Sequence, residues 1–201
     1  MEKIRTYKMT HATGFAPNHD CGILTLATCK PGVREKAKIG DWIAGFTSTA
    51  KMAGGTQMGK EKLIYLMKVT DKMTFDEYWK KYPPKRPEFS SLGDNIYHKD
   101  ENGEYVQEPK ARHGEEHKKR DLSSDKVLIS TEFKYFGAVN PLDCSDYKND
   151  IKIPYGVSRW GQETENEKVT EFINFVMQQE TRSDIDYSAA SKNKSNSCSK
   201  K

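Results

Sequence analysis

The chain has 201 residues, 35% hydrophobic and 31% charged, with 3 Trp, 10 Tyr and 8 Phe. That length suits one domain able to bury roughly 70% of the surface its unfolded chain exposes, and the aromatic content excludes a wholly disordered chain. The net charge of +4 sits mostly at the C-terminal end, where residues 182–201 hold five basic side chains against two acidic ones; the body keeps only +1, too little for a module that grips duplex DNA by counterion release.

The four cysteines, Cys21, Cys29, Cys144 and Cys198, are widely spaced, with no Cys-x-x-Cys pair and no His at ligand spacing, so no metal is expected. Met1-Glu2-Lys3-Ile4-Arg5 leads into a polar run rather than the apolar core of a leader, and no window approaches the ~20 apolar residues of a membrane span. The expectation is a reduced, cytoplasmic protein without a membrane partner. No cofactor is indicated.

In chain order, Ile4 to Met9 alternates weakly as a strand with Tyr7 and Met9 on one face. Gly22 to Cys29 is a second, aliphatic and β-branched strand, and Pro31 to Lys38 allows one helical turn with Val33 and Ala37 inward. Gly40-Asp41 turns the chain into a third strand, Trp42 to Phe46. Leu63 to Val69 is apolar on both faces until Lys68 and predicts a central strand. Thr74 reads as the N-cap of a short helix carrying Phe75, Tyr78 and Trp79, stopped by Pro83-Pro84 and Pro87. Residues 83–125 read as loop, and a loop of that length in a domain is either functional or disordered. Lys126 to Phe136 predicts one strand; residues 138–160 read as irregular. Glu167 to Gln179 predicts an amphipathic helix with Val169, Phe172, Ile173, Val176 and Met177 inward. The boundaries expected are one domain over 1–182 and a disordered basic tail over 183–201. This order is α+β: a small, strongly curved mixed sheet or barrel with peripheral helices and a closing amphipathic helix.

Two stretches hold the densest chemistry. His11 through Asn18 offers an imidazole, a hydroxyl and an amide in His11, Thr13 and Asn18, with Gly14 and Phe15 between them, although such residues also cap ordinary turns. Lys38-Ile39-Gly40-Asp41-Trp42 sets a carboxylate beside an indole, the means by which an isolated base is read at its edge and stacked; a turn Asp and a core Trp read the same way. Both are expected to face one pocket. Cys29 could add a nucleophile and Lys30 a phosphate-binding cation. Asn95 and Tyr97, in Asp94-Asn95-Ile96-Tyr97, and His113 lie in the long loop and could form a lid or a surface excursion. Gly54-x-x-x-x-Gly59-Lys60 resembles a phosphate-cradling loop, but Glu61 stands where a magnesium-binding hydroxyl belongs and a β run follows in place of a helix. It is expected to be a simple connection.

Taken together, His11-Ala-Thr-Gly-Phe-Ala-Pro-Asn18, Thr25 to Pro31, Lys38 to Ile43, Leu63 to Thr70, Phe75 to Trp79, Gly93 to Tyr97 and Phe133 to Gly137 resemble the nucleotide modification associated domain 2 family over about residues 3–180. The resemblance implies a setting, the bacterial and phage gene neighbourhoods that make modified DNA bases, and no particular reaction. A looser likeness, through the Gly40-Asp41 turn before a strand and the later Tyr78-Trp79, is to PUA-like barrels of the EVE and ASCH type, which are similar to readers that cage a modified base in aromatic rings. The expected function is recognition of a nucleotide or modified base, with nucleic acid possible: Trp42 with Phe15 or Tyr97 stacking, Asp41, Asn18 and His11 reading the edge, and Lys30 meeting phosphate. The alternatives are an enzyme using His11 and Asp41 as acid and base, or a sequestering, anti-defence protein of phage or mobile-element origin. No catalytic residue is assigned.

Overall fold

The computed structural model describes residues 1–48, 62–154 and 161–181. Strand β1 (Lys3–Met9) divides its side chains between two cores, with Ile4 on one face and Tyr7 and Met9 on the other. Strand β2 (Leu24–Leu26) is shorter than the sequence suggests, because Cys29 and Lys30 take left-handed backbone, φ 58° and 41°, and break the extended run. They lead directly into α1 (Pro31–Lys36), whose first residue is a proline with φ already suited to a helix start; Val33 and Ala37 are buried as expected. Gly40, at φ 95°, turns the chain into β3 (Trp42–Thr47). Next come β4 (Lys62–Lys68), β5 (Asp71–Thr74) and α2 (Phe75–Lys81). Thr74 caps α2 as predicted: its hydroxyl accepts from the Glu77 N–H at 3.3 Å, and the Glu77 carboxylate accepts from the Thr74 N–H at 2.7 Å.

The long loop holds more structure than its composition suggests, namely a hairpin of β6 (Tyr97–Lys99) and β7 (Tyr105–Gln107) and the short helix α3 (Lys118–Asp121). The single strand expected over 126–136 is two, β8 (Lys126–Ser130) and β9 (Glu132–Tyr135), broken at Thr131, where the Ser130 hydroxyl donates to the Glu132 carbonyl at 2.8 Å. The chain continues through β10 (Leu142–Asp143), β11 (Gln162–Glu165) and α4 (Glu167–Gln178), which Asn166 caps by accepting from the Val169 N–H at 3.0 Å. The Gly54–Lys60 stretch and the tail over 183–201 lie outside the described residues.

One sheet runs β10–β4–β3–β1–β11, with β9 also paired to β4, so β4 is central as predicted. A second runs β2–β8–β5. The break at Thr131 carries the chain from the second sheet to the first, and Tyr7, Met9, Leu24, Ile64, Met67 and Leu128 share one core. On the far face of the large sheet, α4 buries Val169, Phe172, Ile173 and Val176 among Ile4, Ala44, Phe46 and Leu66. A third cluster joins Phe75 and Tyr78 of α2 to Ile96, Tyr97, Val127 and Ile129. The class is α+β with mixed sheets, as expected. A closed barrel is not formed among the described residues: β11 pairs only with β1 and β10 only with β4, so the large sheet keeps two edges. No helix among those residues is long and apolar enough to cross a membrane.

Candidate functional site

β1 ends at Met9 beside the β2–α1 turn, and this corner opens into a cavity of about 970 Å3, near the top of the ~300–1,000 Å3 range of small-ligand sites. The end of β1 contributes Tyr7 and Met9; the following turn contributes Thr10, His11, Thr13, Phe15 and Ala16; the β2–α1 turn contributes Cys29, Lys30 and Pro31. The remaining wall is Leu92 with Arg112, His113, His117 and Arg120 from the long loop. Five predicted site residues, His11, Thr13, Phe15, Cys29 and Lys30, therefore line one cavity, and Gly14 lies between two of them with φ 81°.

The lining is cationic and aromatic. Phe15 stacks on the His113 ring with centroids 5.3 Å apart and 27° between planes, and His113 meets His117 at 4.6 Å. Lys30 Nζ lies 4.9 Å from the centroid of the Tyr7 ring, and burial lowers its pKa. Tyr7 is buried, its hydroxyl 2.7 Å from that of Tyr65. Arg112 and Arg120 are exposed at the rim, and the described lining contains no carboxylate.

Behind this wall lies Asp121, fully buried. Its Oδ1 accepts from the Cys29 N–H at 3.1 Å and Arg120 Nε at 3.2 Å; its Oδ2 accepts from His113 Nε2 at 2.7 Å and the Tyr97 hydroxyl at 3.3 Å. Burial pushes this carboxyl up, but the His113 hydrogen bond and the nearby charges of His113, Arg120 and Arg34 outweigh it and hold the group below its ordinary value. Buried Arg34 ties the same corner together, donating to the carbonyls of Cys29 at 2.9 Å, Ser124 at 2.8 Å, Asp121 at 2.6 Å, and Lys126. Cys29 Sγ, a His113 ring nitrogen and an Asp121 oxygen lie within 4.8 Å of one another, the one set among the described residues that could offer three ligands to a metal. Arg120 stands against that set, 3.7 Å from the sulfur and 3.5 Å from His113 Nε2. Burial first, then Asp121, raise the Cys29 pKa, with Arg120 opposing.

Asn18 and Asn95 are built in differently. Asn18 is buried, donates to the Leu92 carbonyl at 2.7 Å, and its side-chain oxygen accepts from Lys85 Nζ at 2.7 Å. Lys85, itself buried, also reaches Thr25 Oγ1 at 3.0 Å, and Thr25 donates to Asp94 at 2.6 Å, as Tyr78 does at 2.8 Å. Asn95 donates to the carbonyls of Tyr78 and Tyr82, each at 3.0 Å. Asn18 thus anchors the cavity turn to the loop after α2, while Tyr97 stays out of the described cavity lining and bonds to Asp121 behind it.

Asp41 and Trp42 do not share this cavity. In the parallel β1–β3 register Trp42 pairs with Ile4, whereas Met9 at the cavity pairs with Thr47, so Trp42 is about 16 Å along the strand from the corner. Its ring is buried in the core under α4, with the indole N–H donated to Glu2 at 3.1 Å. Asp41 closes its turn by accepting from the Lys38 N–H at 2.9 Å. The core and turn readings of that pair hold geometrically, and the pairing of His11 with Asp41 as acid and base is not brought together. Arg112, His117 and Arg120 were missed, and His113 left open, because the loop has no periodicity; the only sign was a cluster of basic residues and histidines between Lys110 and Arg120.

The family model described as nucleotide modification associated domain 2 matches residues 1–194. No curated protein and no solved structure matches the chain.

Proposed function

Because this chain belongs to the nucleotide modification associated domain 2 family, we propose that its cavity binds a nucleotide or a modified base. The observation that carries the reading is the pairing of a stacked Phe15–His113 platform with Lys30, Arg112 and Arg120 around one cavity lacking carboxylates among its described lining. A flat ring against an aromatic face contributes about 1–3 kcal/mol, and guanidinium groups meet phosphate with charge-assisted hydrogen bonds. With only +1 on the body, a free nucleotide or a base displaced from its helix suits the charge better than a gripped duplex. The base pocket implied by the PUA-like likeness falls on Phe15 and His113 in this reading rather than on Trp42, within a DNA-modification setting of phage or mobile-element type.

The test is a thermal-shift panel of canonical and modified nucleoside monophosphates at low and high salt. At least one is expected to raise Tm, less at high salt, and Arg120→Ala is expected to weaken binding of that ligand about 10- to 150-fold. No shift with any member of the panel, or undiminished binding by Arg120→Ala, would contradict the reading.

A further inference from the structure

We propose that Cys29 is a nucleophile aimed into this cavity, with His113 taking its proton and Asp121 as the positioning residue, and that its substrate is a nucleotide carrying an electrophilic sp2 carbon. The inference rests on the nucleotide reading for its substrate, and on separate geometry for its chemistry. Cys29, from the β2–α1 turn, and His113 and Asp121, from the long loop, bring their donor atoms within 4.8 Å of one another, the first two on the wall of the cavity and Asp121 directly behind it. Cys29 stands on a sharp turn between a strand and a helix with left-handed backbone at φ 58°, followed by Lys30 at 41°. Non-glycine residues there cost on the order of 1–3 kcal/mol each, and a strand-to-helix turn of this kind projects a nucleophile from the fold.

The surrounding bonds hold that turn in place. Asp121 accepts from the Cys29 N–H, and Arg34 donates to the Cys29 carbonyl. Asp121 also accepts from His113 Nε2, which places a hydrogen on that nitrogen and leaves the Nδ1 lone pair to receive a proton. The thiol is held protonated at rest by burial and Asp121, so its proton must leave during attack. In the step, the Cys29 proton passes through water to His113 Nδ1 as the sulfur bonds to the sp2 carbon. The π pair of that carbon moves onto its attached oxygen or nitrogen, which then receives the proton from His113. Addition is balanced without a further reactant and is reversible. Arg120, 3.7 Å from the sulfur, offsets the developing negative charge. The same guanidinium lies 3.5 Å from His113 Nε2, and its charge disfavours a metal cation among these donors.

The probe is iodoacetamide on the full chain, with alkylation of Cys29 and Cys144, the free cysteines among the described residues, followed by mass spectrometry between about pH 6 and 9. Cys29 is expected to react well ahead of buried Cys144, and His113→Ala to slow Cys29 about a hundredfold near pH 7 and move its rate–pH profile to the alkaline side. His113→Gln, a milder change, is expected to do the same with the circular dichroism of the wild type. Unchanged rates and profile in both variants would overturn the proposal. Alkylation without any nucleotide reports on the thiol alone, so its result is independent of whether nucleotides bind. A nucleotide that binds by thermal shift is expected to slow Cys29 alkylation at saturation; one that binds without slowing it would remove the thiol from the ligand site.

Discussion

Trp42 illustrates how two environments share one residue pattern. An indole directly after a Gly-Asp turn suits a stacking platform and a core anchor equally, and only the β1–β3 register, a long-range property, assigns it to the core under α4. Trp42→Ala is expected to cost about 3–5 kcal/mol in urea denaturation, the usual range for emptying a buried aromatic site, while nucleotide affinity per folded molecule stays at the wild-type value. By contrast, His11, Thr13, Phe15, Cys29 and Lys30 were legible, because turn residues rich in donors beside a strand end have few ways to sit except around its mouth. Arg112, His113, His117 and Arg120 were not, since the placing of their loop depends on Asp121 joining His113 to Tyr97 and to the Cys29 N–H of the β2–α1 turn.

At the scale of elements, local signals did well and long-range ones poorly. The capping box of α2, the buried stripe of α4 and the centrality of β4 follow from a few neighbouring residues each. The break at Thr131 does not: Lys126 to Phe136 contains no Gly or Pro to mark it, and the bend arises because its halves belong to different sheets. The loop joining α2 to β6 is held by Asp94 and Lys85, both buried, and this predicts a pH dependence. Burial pushes the Asp94 carboxyl up to about 6, against Lys85, Thr25 and Tyr78, which lower it. A carboxyl raised on folding binds its proton more tightly in the folded state, so its contribution to stability is full below about pH 4 and is lost as pH rises through about 6. The urea midpoint of the wild type should therefore fall between pH 4 and 6 relative to Asp94→Asn, in which that component of the slope is absent. Parallel slopes for the two proteins would mean Asp94 titrates normally.

For the whole molecule, two sheets sharing one core leave a corner where the end of β1, the β2–α1 turn and the long loop meet, and the cationic and aromatic groups collect there. Charge on the body is nearly balanced, yet the described cavity lining carries Lys30, Arg112 and Arg120 and no acid. This separation of sign, rather than the overall +4, is the reason the proposal takes a small anionic ligand over a nucleic-acid duplex. Composition alone bounded that choice; the location needed the fold.

The most direct test is calorimetric titration of the best-stabilising nucleoside monophosphate into the wild type, Phe15→Ala and Asp41→Ala. Loss of stacking in Phe15→Ala is expected to weaken binding about 5- to 150-fold, from roughly 1–3 kcal/mol per stacked base, with Asp41→Ala binding as the wild type does. Full affinity in Phe15→Ala together with loss in Asp41→Ala would contradict the account and return the site to the Gly40-Asp41 turn.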